Sequence, residues 1–441
     1  MSAFELGLWS FPVVLALIFL RVPIGLAMLG AGMVGSYLVI GSWNPMMAQM
    51  KSLAVNTFST YSLSIVPLFL LMGQFATLGG MSSSLFKASE TLIGHRRGGV
   101  AMAAIGACAG FGAICGSSLA TAATMGQIAL PELRRYGYSG ALATATLAAG
   151  GTLGVLIPPS IVLVIYAILT EQNIARLFVA AFVPGVLAAI GYMIAISIYV
   201  RLKPGSGGGQ RDRATGRERL KALAEVWPVV VIFALVVGGI YAGWFTPTEG
   251  AAVGAAGTGL LALINGGLNR ETVVTAFLST AITTALIFFI VFGAGVYNSF
   301  LALSQVPTQL GAIIAGAGFS PWIVLIVVLL MYLVLGCLMD SLSMILLTIP
   351  IVFPIVSGLD YGLSPSEFGI WFGILILIVV EVGLITPPVG MNLFVINSMA
   401  RDIPISSTYR GVIPFVVSDV VRTGLLVAFP AITLFLIRLL P

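Results

Sequence analysis

Few residues in this chain are able to do chemistry, and they gather at a few places. Three acids stand in apolar surroundings: Asp340, Glu381 and Asp419. Two stretches of small, partly polar residues interrupt apolar runs, GAICGSSLAT at 112–121 and CLMDSLS at 337–343. Two proline pairs do the same, in GTLGVLIPPS at 151–160 and VGLITPPVG at 382–390. Proline removes a backbone donor and clashes with the carbonyl four residues back, so a pair releases several carbonyl oxygens. In a bilayer those oxygens need partners, and a hard cation such as Na+ takes oxygen ligands, backbone carbonyls included. A packing kink is the commoner use of one proline; a paired, repeated Gly-x-x-x-Pro-Pro favours cation binding. Ionisable groups at membrane depth are functional by default. Asp340, beside Ser341 and Ser343, is the strongest cation-site candidate. Glu381 is expected to face the region of Thr386 or to pair with a base. Asp419 and Arg422, spaced i, i+3 on one helix, are expected to pair with each other.

Other chemistries lack their residues. The sequence has no nucleophile–base pair, phosphate loop or nucleotide motif, and an enzyme is not expected. Cys108, Cys115 and Cys337 show no metal or disulfide spacing and read as small packed residues. His95 is the only histidine and sits beside Arg96 and Arg97 at a segment end, which argues against a haem or zinc centre.

The positioning elements follow from composition. Of 441 residues, 59% are hydrophobic and only 8% charged, far below the charge of a soluble chain. Apolar runs of spanning length recur, so the fold class is an all-α polytopic membrane protein. Residues 1–6 lack a basic n-region, so no cleavable leader is expected. The net charge of +5 is no nucleic-acid footprint, because the basic residues lie at the ends of apolar segments apart from a cluster at 201–221. Segments are expected at 7–41 (two helices), 53–79, 82–94 and 175–200. In the second part they fall at 227–245, 248–265, 276–303 and 413–438, with a Gly-rich connection at 304–319. The polar linker 201–226, with its GSGGG, reads as flexible.

The two parts echo one another in order: CGSSLA (115–120) and MDSLSM (339–344), YGYS (136–139) and YGLS (361–364), GVLIPP (154–159) and GLITPP (383–388). Residues 1–200 therefore form a first repeat, with a re-entrant hairpin at 99–136 and a broken helix at 139–170. Residues 227–441 form a second, with a re-entrant hairpin at 320–361 and a broken helix at 366–398. Five crossings per repeat make the two copies inverted. The linker carries seven of the twenty Lys and Arg residues and is expected to be cytoplasmic, with the N-terminus periplasmic. Seventeen basic residues then fall on the cytoplasmic side; only Lys51, Arg176 and Arg438 do not.

GAICGSSLATAATMGQIALPELRRYGYS, AGGTLGVLIPPS and VEVGLITPPVGMNLFVI together resemble the large membrane subunit of TRAP (tripartite ATP-independent periplasmic) transporters, DctM type, over essentially the whole chain. The resemblance implies an elevator-type secondary importer with scaffold and transport domains in the bacterial inner membrane. Its partners would be a small four-helix membrane subunit and a periplasmic substrate-binding protein. The substrate would be an organic acid, such as a C4-dicarboxylate or sialic acid, imported with Na+. One Na+ site would comprise Ser117, Ser118, Thr121, Gly151, Gly154 and Pro158. The second would comprise Asp340, Ser341, Ser343, Gly383, Thr386 and Pro388, with much of the ligation from main-chain oxygens. Substrate would lie between the tips, near Pro159, Gly390 and Asn392. A one-component anion symporter of the same fold class and H+ rather than Na+ coupling are the alternatives.

Overall fold

The computed structural model describes residues 1–439. Among them all regular structure is helical, apart from one isolated bridge between Tyr138 and Gly207. Six of these helices are long and apolar enough to cross a membrane, or seven if Gly140–Leu156 and Ile161–Thr170, bent by 43° at their break, count as one span.

Each part of the chain runs through the same kinds of element. Helices Gly99–Cys115 and Ser118–Arg135 form a first hairpin, and the first broken helix consists of Gly140–Leu156 and Ile161–Thr170. Helices Pro321–Gly336 and Ser341–Ser357 form a second hairpin, and the second broken helix consists of Pro365–Gly383 and Met391–Met399. A long helix follows each break, Ile174–Leu202 and Ile405–Ala428. Local sequence sets the starts. Ser139, Ser160 and Asn173 cap successive helices of the first part through side-chain oxygens, and Ser364 with Glu367 forms a capping box on the helix at Pro365.

Hairpins, broken helices and long helices pack into one body with polar bolts between its two parts. Thr144 Oγ1 lies 2.9 Å from Thr408 Oγ1. Tyr166 donates to the Gly369 carbonyl at 2.6 Å, and within the second part Trp371 Nε1 donates to the Leu426 carbonyl at 2.9 Å. Elsewhere, Ile24–Ile40 lies along Arg270–Leu303, and Pro247–Ile264 along Ile65–Leu78. Glycine makes the first of these contacts close: a Cβ on Gly32 would fall 2.8 Å from the Tyr297 nitrogen.

Four expectations need correction. The run 53–79 is not one helix. It divides at Thr60 into Asn44–Ser59 and Ile65–Leu78 with a short turn between, and Ser59 and Thr60 hydroxyls donate back to the Val55 and Asn56 carbonyls, which competes with helix continuation. Residues 304–319 are mostly helical, over Val306–Gly316; the apolar pattern outweighs the scattered glycines. The last run divides at Phe429, which precedes Pro430 and leaves the helical region at φ −128° and ψ 75°.

The linker is the fourth. It does not hang free. Gly209 donates its N–H to the Tyr136 carbonyl at 2.6 Å, Ser139 to the Ser206 carbonyl at 3.1 Å, and Arg211 to the Gly94 carbonyl at 3.2 Å. Arg211 also pairs with Glu90 at 3.2 Å, and Glu90 accepts from the Tyr136 hydroxyl at 2.9 Å. A helix begins at Gly216 behind the capping box of Thr215 and Glu218. Two basic residues outside the expected side, Arg176 and Arg438, meet at one turn: Arg176 donates to Ser366 and Arg438 pairs with Glu367.

Candidate functional site

The two hairpin tips lie against one cavity of about 100 Å³. Its walls include Ser117 and Ser118 from the first tip, Asp340 and Ser341 from the second, and Thr283 from the helix Arg270–Leu303. That is room for a few water-sized groups, and oxygen atoms from two distant parts of the sequence meet there.

At the first tip the chain turns through Gly116, whose φ of 65° suits glycine. Ser117 then caps the second arm, its Oγ accepting from Ala120 N. The first arm and the broken helix cross with almost no space between backbones. A Cβ on Gly112 would lie 2.6 Å from the Cα of Gly154, and one on Gly154 would lie 2.7 Å from the Ser117 carbonyl oxygen and clash with Thr121 Oγ1. A Cβ on Gly116 would approach the Pro159 carbonyl oxygen to 3.0 Å. Thr121 is fully buried, and its Oγ1 has no hydrogen-bond partner. A buried hydroxyl without a partner is costly; beside a carbonyl in a glycine-lined contact it suits a bound cation. Ser117, Thr121 and Gly154, three of the residues named for the first ion site, lie together, and Pro159, named for the substrate, brings its carbonyl beside Gly116. Gly151 faces Ala122 instead, a Cβ there falling 2.6 Å from the Ala122 Cβ. Pro158 is buried within the same break.

At the second tip Asp340 caps its helix: Oδ2 accepts from Ser343 N at 3.1 Å, and Oδ1 accepts from the Ser343 hydroxyl. Ser341 donates to Glu381 Oε1 at 2.8 Å, while Glu381 Oε2 has no partner. Gly336 and Gly383 repeat the glycine crossing, a Cβ on Gly383 falling 2.6 Å from the Gly336 Cα. Gly390 donates to the Cys337 carbonyl at 3.2 Å and so ties the break to the tip. The Thr386 hydroxyl donates to the Val382 carbonyl at 2.6 Å. Pro387 and Pro388 are exposed, and the Pro388 carbonyl accepts from Tyr409 at 2.7 Å. Asn392 is fully buried, and its Nδ2 donates to the Ala148 carbonyl of the first broken helix at 3.2 Å, leaving Oδ1 unpaired.

Asp419 and Arg422 pair as their spacing predicts, at 2.8 Å. Among the described residues no group of three or more His, Cys, Asp or Glu side chains is placed to hold a metal. Gly112, Gly336 and Tyr409 escape a reading of polar residues. The glycines have a sequence signal all the same, one shortly before each tip.

Helix pairs with polar tips beside helices broken at Pro-Pro, in a chain of membrane-spanning length, define a polytopic membrane permease. The family described as "Tripartite ATP-independent periplasmic transporter, DctM component" matches residues 11–432, and the chain belongs to that family. It is 36% identical over 388 residues to the C4-dicarboxylate TRAP transporter large permease protein DctM of Pseudomonas aeruginosa, covering 87% of this chain and 88% of the relative. It is 30% identical over 427 residues to the sialic acid TRAP transporter large permease protein SiaM of Vibrio cholerae, covering 96% of each. In fold it is similar to the crystal structure of the Alcanivorax borkumensis YdaH transporter, with a TM-score of 0.62 over 88% of this chain and 89% of that one at 16% identity.

Proposed function

We propose that this chain is the permease of a Na+-driven importer of organic acids in the bacterial inner membrane, fed by a periplasmic binding protein and assembled with a small four-helix subunit. The observation that carries this reading is the shared cavity between the two hairpin tips, where Ser117, Ser118, Asp340 and Ser341 converge. Na+ supplies positive charge at that point, where a carboxylate substrate needs it. At the first site Ser117, Ser118, Thr121, Gly151, Gly154 and Pro158 hold the ion; the unpartnered Thr121 hydroxyl beside the Ser117 carbonyl supports this. At the second, Asp340, Ser341, Ser343, Gly383, Thr386 and Pro388 do so. Ser341 donates its hydroxyl hydrogen bond to Glu381, which leaves its oxygen lone pairs for a cation. Substrate sits between the tips near Pro159, Gly390 and Asn392, and the relatives' names point to C4-dicarboxylates or sialic acid as its class.

The body of hairpins, broken helices and long helices is bolted across its two parts. It moves as a transport domain against a scaffold that includes Ile24–Ile40 and Arg270–Leu303, giving elevator alternating access between two inverted repeats with the N-terminus periplasmic. Uptake of a labelled organic acid by the chain reconstituted with both partners tests this. An inward Na+ gradient is expected to drive accumulation. Accumulation under an H+ gradient without Na+ would replace the coupling ion, and uptake without the binding protein would make the chain a one-component symporter.

A further inference from the structure

Gly151 and Gly154 turn toward the second arm of the first hairpin, against Ala122, Thr121 and the Ser117 carbonyl. Thr152 points elsewhere, as helical geometry requires: it lies about 100° around the axis from Gly151 and about 160° from Gly154. Its hydroxyl lies 2.7 Å from the Ala149 carbonyl and 3.1 Å from the Tyr192 hydroxyl; because Tyr192 gives its own hydrogen bond to Asp419, Thr152 is the donor to Tyr192, shared with the Ala149 carbonyl. Tyr192 donates to Asp419 Oδ2 at 2.7 Å, and Arg422 Nη2 lies 2.8 Å from Asp419 Oδ1. All four side chains are buried. The chain of contacts runs from the middle of the first break region, through the long helix Ile174–Leu202, to the last long helix of the second part.

A buried ion pair is an expensive way to fill space, and apolar residues of similar volume usually pack as well or better. Here the expense is higher, because Arg422 Nε and Nη1 have no partner. The glycine face offers no side chain that would resist rotation of the helix about its own axis. Thr152 is a polar contact that does, from the opposite side and within one turn of the glycines, whereas the Thr144–Thr408 contact lies at the far end of the same helix. We propose that Tyr192 and Asp419 are positioning residues for the first ion site. Through Thr152 they hold the broken helix in the rotation that keeps Gly151 and Gly154 against the hairpin and the Ser117 carbonyl aimed at the ion. Arg422 holds the Asp419 carboxyl in place. The proposal rests on the Na+ reading above.

The test uses the purified full-length chain and needs neither partner nor substrate. Thermal unfolding is followed as NaCl replaces choline chloride at constant ionic strength, because an ion that binds only the folded state raises the midpoint by mass action. Tyr192→Phe keeps the ring and deletes the hydroxyl. It is expected to raise the Na+ concentration giving the half-maximal rise about fivefold, the scale of one lost hydrogen bond. Thr152→Val is expected to match it, and the double variant to shift no further than either single one, because both cut the same chain. A merely structural network would lower the midpoint at every salt composition and leave the Na+ dependence unmoved, and that result overturns the proposal. A wild-type chain indifferent to Na+ is a different failure: it removes the ion reading itself and this proposal with it.

Discussion

The two proline breaks carry nearly the same residues and have opposite surroundings. Pro158 and Pro159 are buried, in a break whose ten residues 151–160 are all buried. Pro387 and Pro388 are exposed, Thr386 is half-buried, and Tyr409 reaches in from the last long helix to hold the Pro388 and Val389 carbonyls. The first tip is neutral and closed by glycine contacts with the broken helix. The second contains Asp340 and leans on Glu381. A shared motif therefore fixes where a helix opens, while its neighbours decide what the opening is exposed to. The first break is tight and closed, the second more open and, with Asp340 and Glu381 near it, more acidic.

The largest effect should come from the glycine crossings. Gly154→Ala places a Cβ against the Thr121 side chain and the Ser117 carbonyl, a backbone atom. A loss of about 3 kcal/mol is expected, together with loss of Na+-dependent stabilisation, both read from thermal unfolding with and without NaCl. Gly383→Ala meets the Gly336 backbone and should be comparably harmful. A harmless Gly154→Ala would remove the distinction between a closed first break and an open second one.

Next come the tips themselves. Ser341→Ala strips the buried Glu381 of its only hydrogen-bond partner among the described residues and should cost about 2 kcal/mol. Ser117→Ala removes a long 3.4 Å cap bond and should cost about 1 kcal/mol or less. Chemical denaturation of the two variants side by side checks the order; equal losses would mean that the acid at the second tip adds nothing. Tyr409→Phe frees two carbonyls at the exposed break, where water can replace the hydroxyl, and about 1 kcal/mol or less is expected.

The smallest effect lies at the surface. Arg134, at the base of the first hairpin, pairs at 2.6 Å with Asp402, which follows the second broken helix. Its hydrogen bond holds the Asp402 carboxyl below the usual range. A depressed folded pKa gives stability that is present above the unfolded value, about 3.9 for Asp, and is lost as pH falls through the lower folded value. Between pH 5 and pH 3 the wild type should therefore lose slightly more stability than Asp402→Asn. Both partners are well exposed, so the difference should shrink further in high salt.

Much of this was legible in the sequence. Period and composition gave the helices, because lipid forces every backbone group into internal hydrogen bonds. The tips and breaks announced themselves as polar or proline interruptions of apolar runs. Asp419 and Arg422 were paired by helix geometry alone. Glycine contacts were not legible, because a glycine that lets two backbones touch looks the same in sequence as one that merely packs. Tyr192 was hidden for a related reason: a tyrosine in an apolar helix reads as core until its hydroxyl is seen to join Thr152 and Asp419. Asp340 was recognised as an unusual residue, but its capping of Ser343 depends on where the helix starts. The linker misled most. Its glycines signal freedom, yet Gly207, Gly208 and Gly209 are the residues that let the chain lie flat against Tyr136 and Tyr138.

That docked segment makes the place where the chain is divided matter. A protein expressed as two fragments cut at Gly205 would hand the segment to the second fragment, which would then have to find the hairpin base to restore the Tyr136 and Gly94 hydrogen bonds. Cut after Ala214, the same segment stays with the first fragment, already in register. Two severed halves that look interchangeable on a topology diagram should therefore reassemble with different success, and only one of the two hairpins would feel the difference.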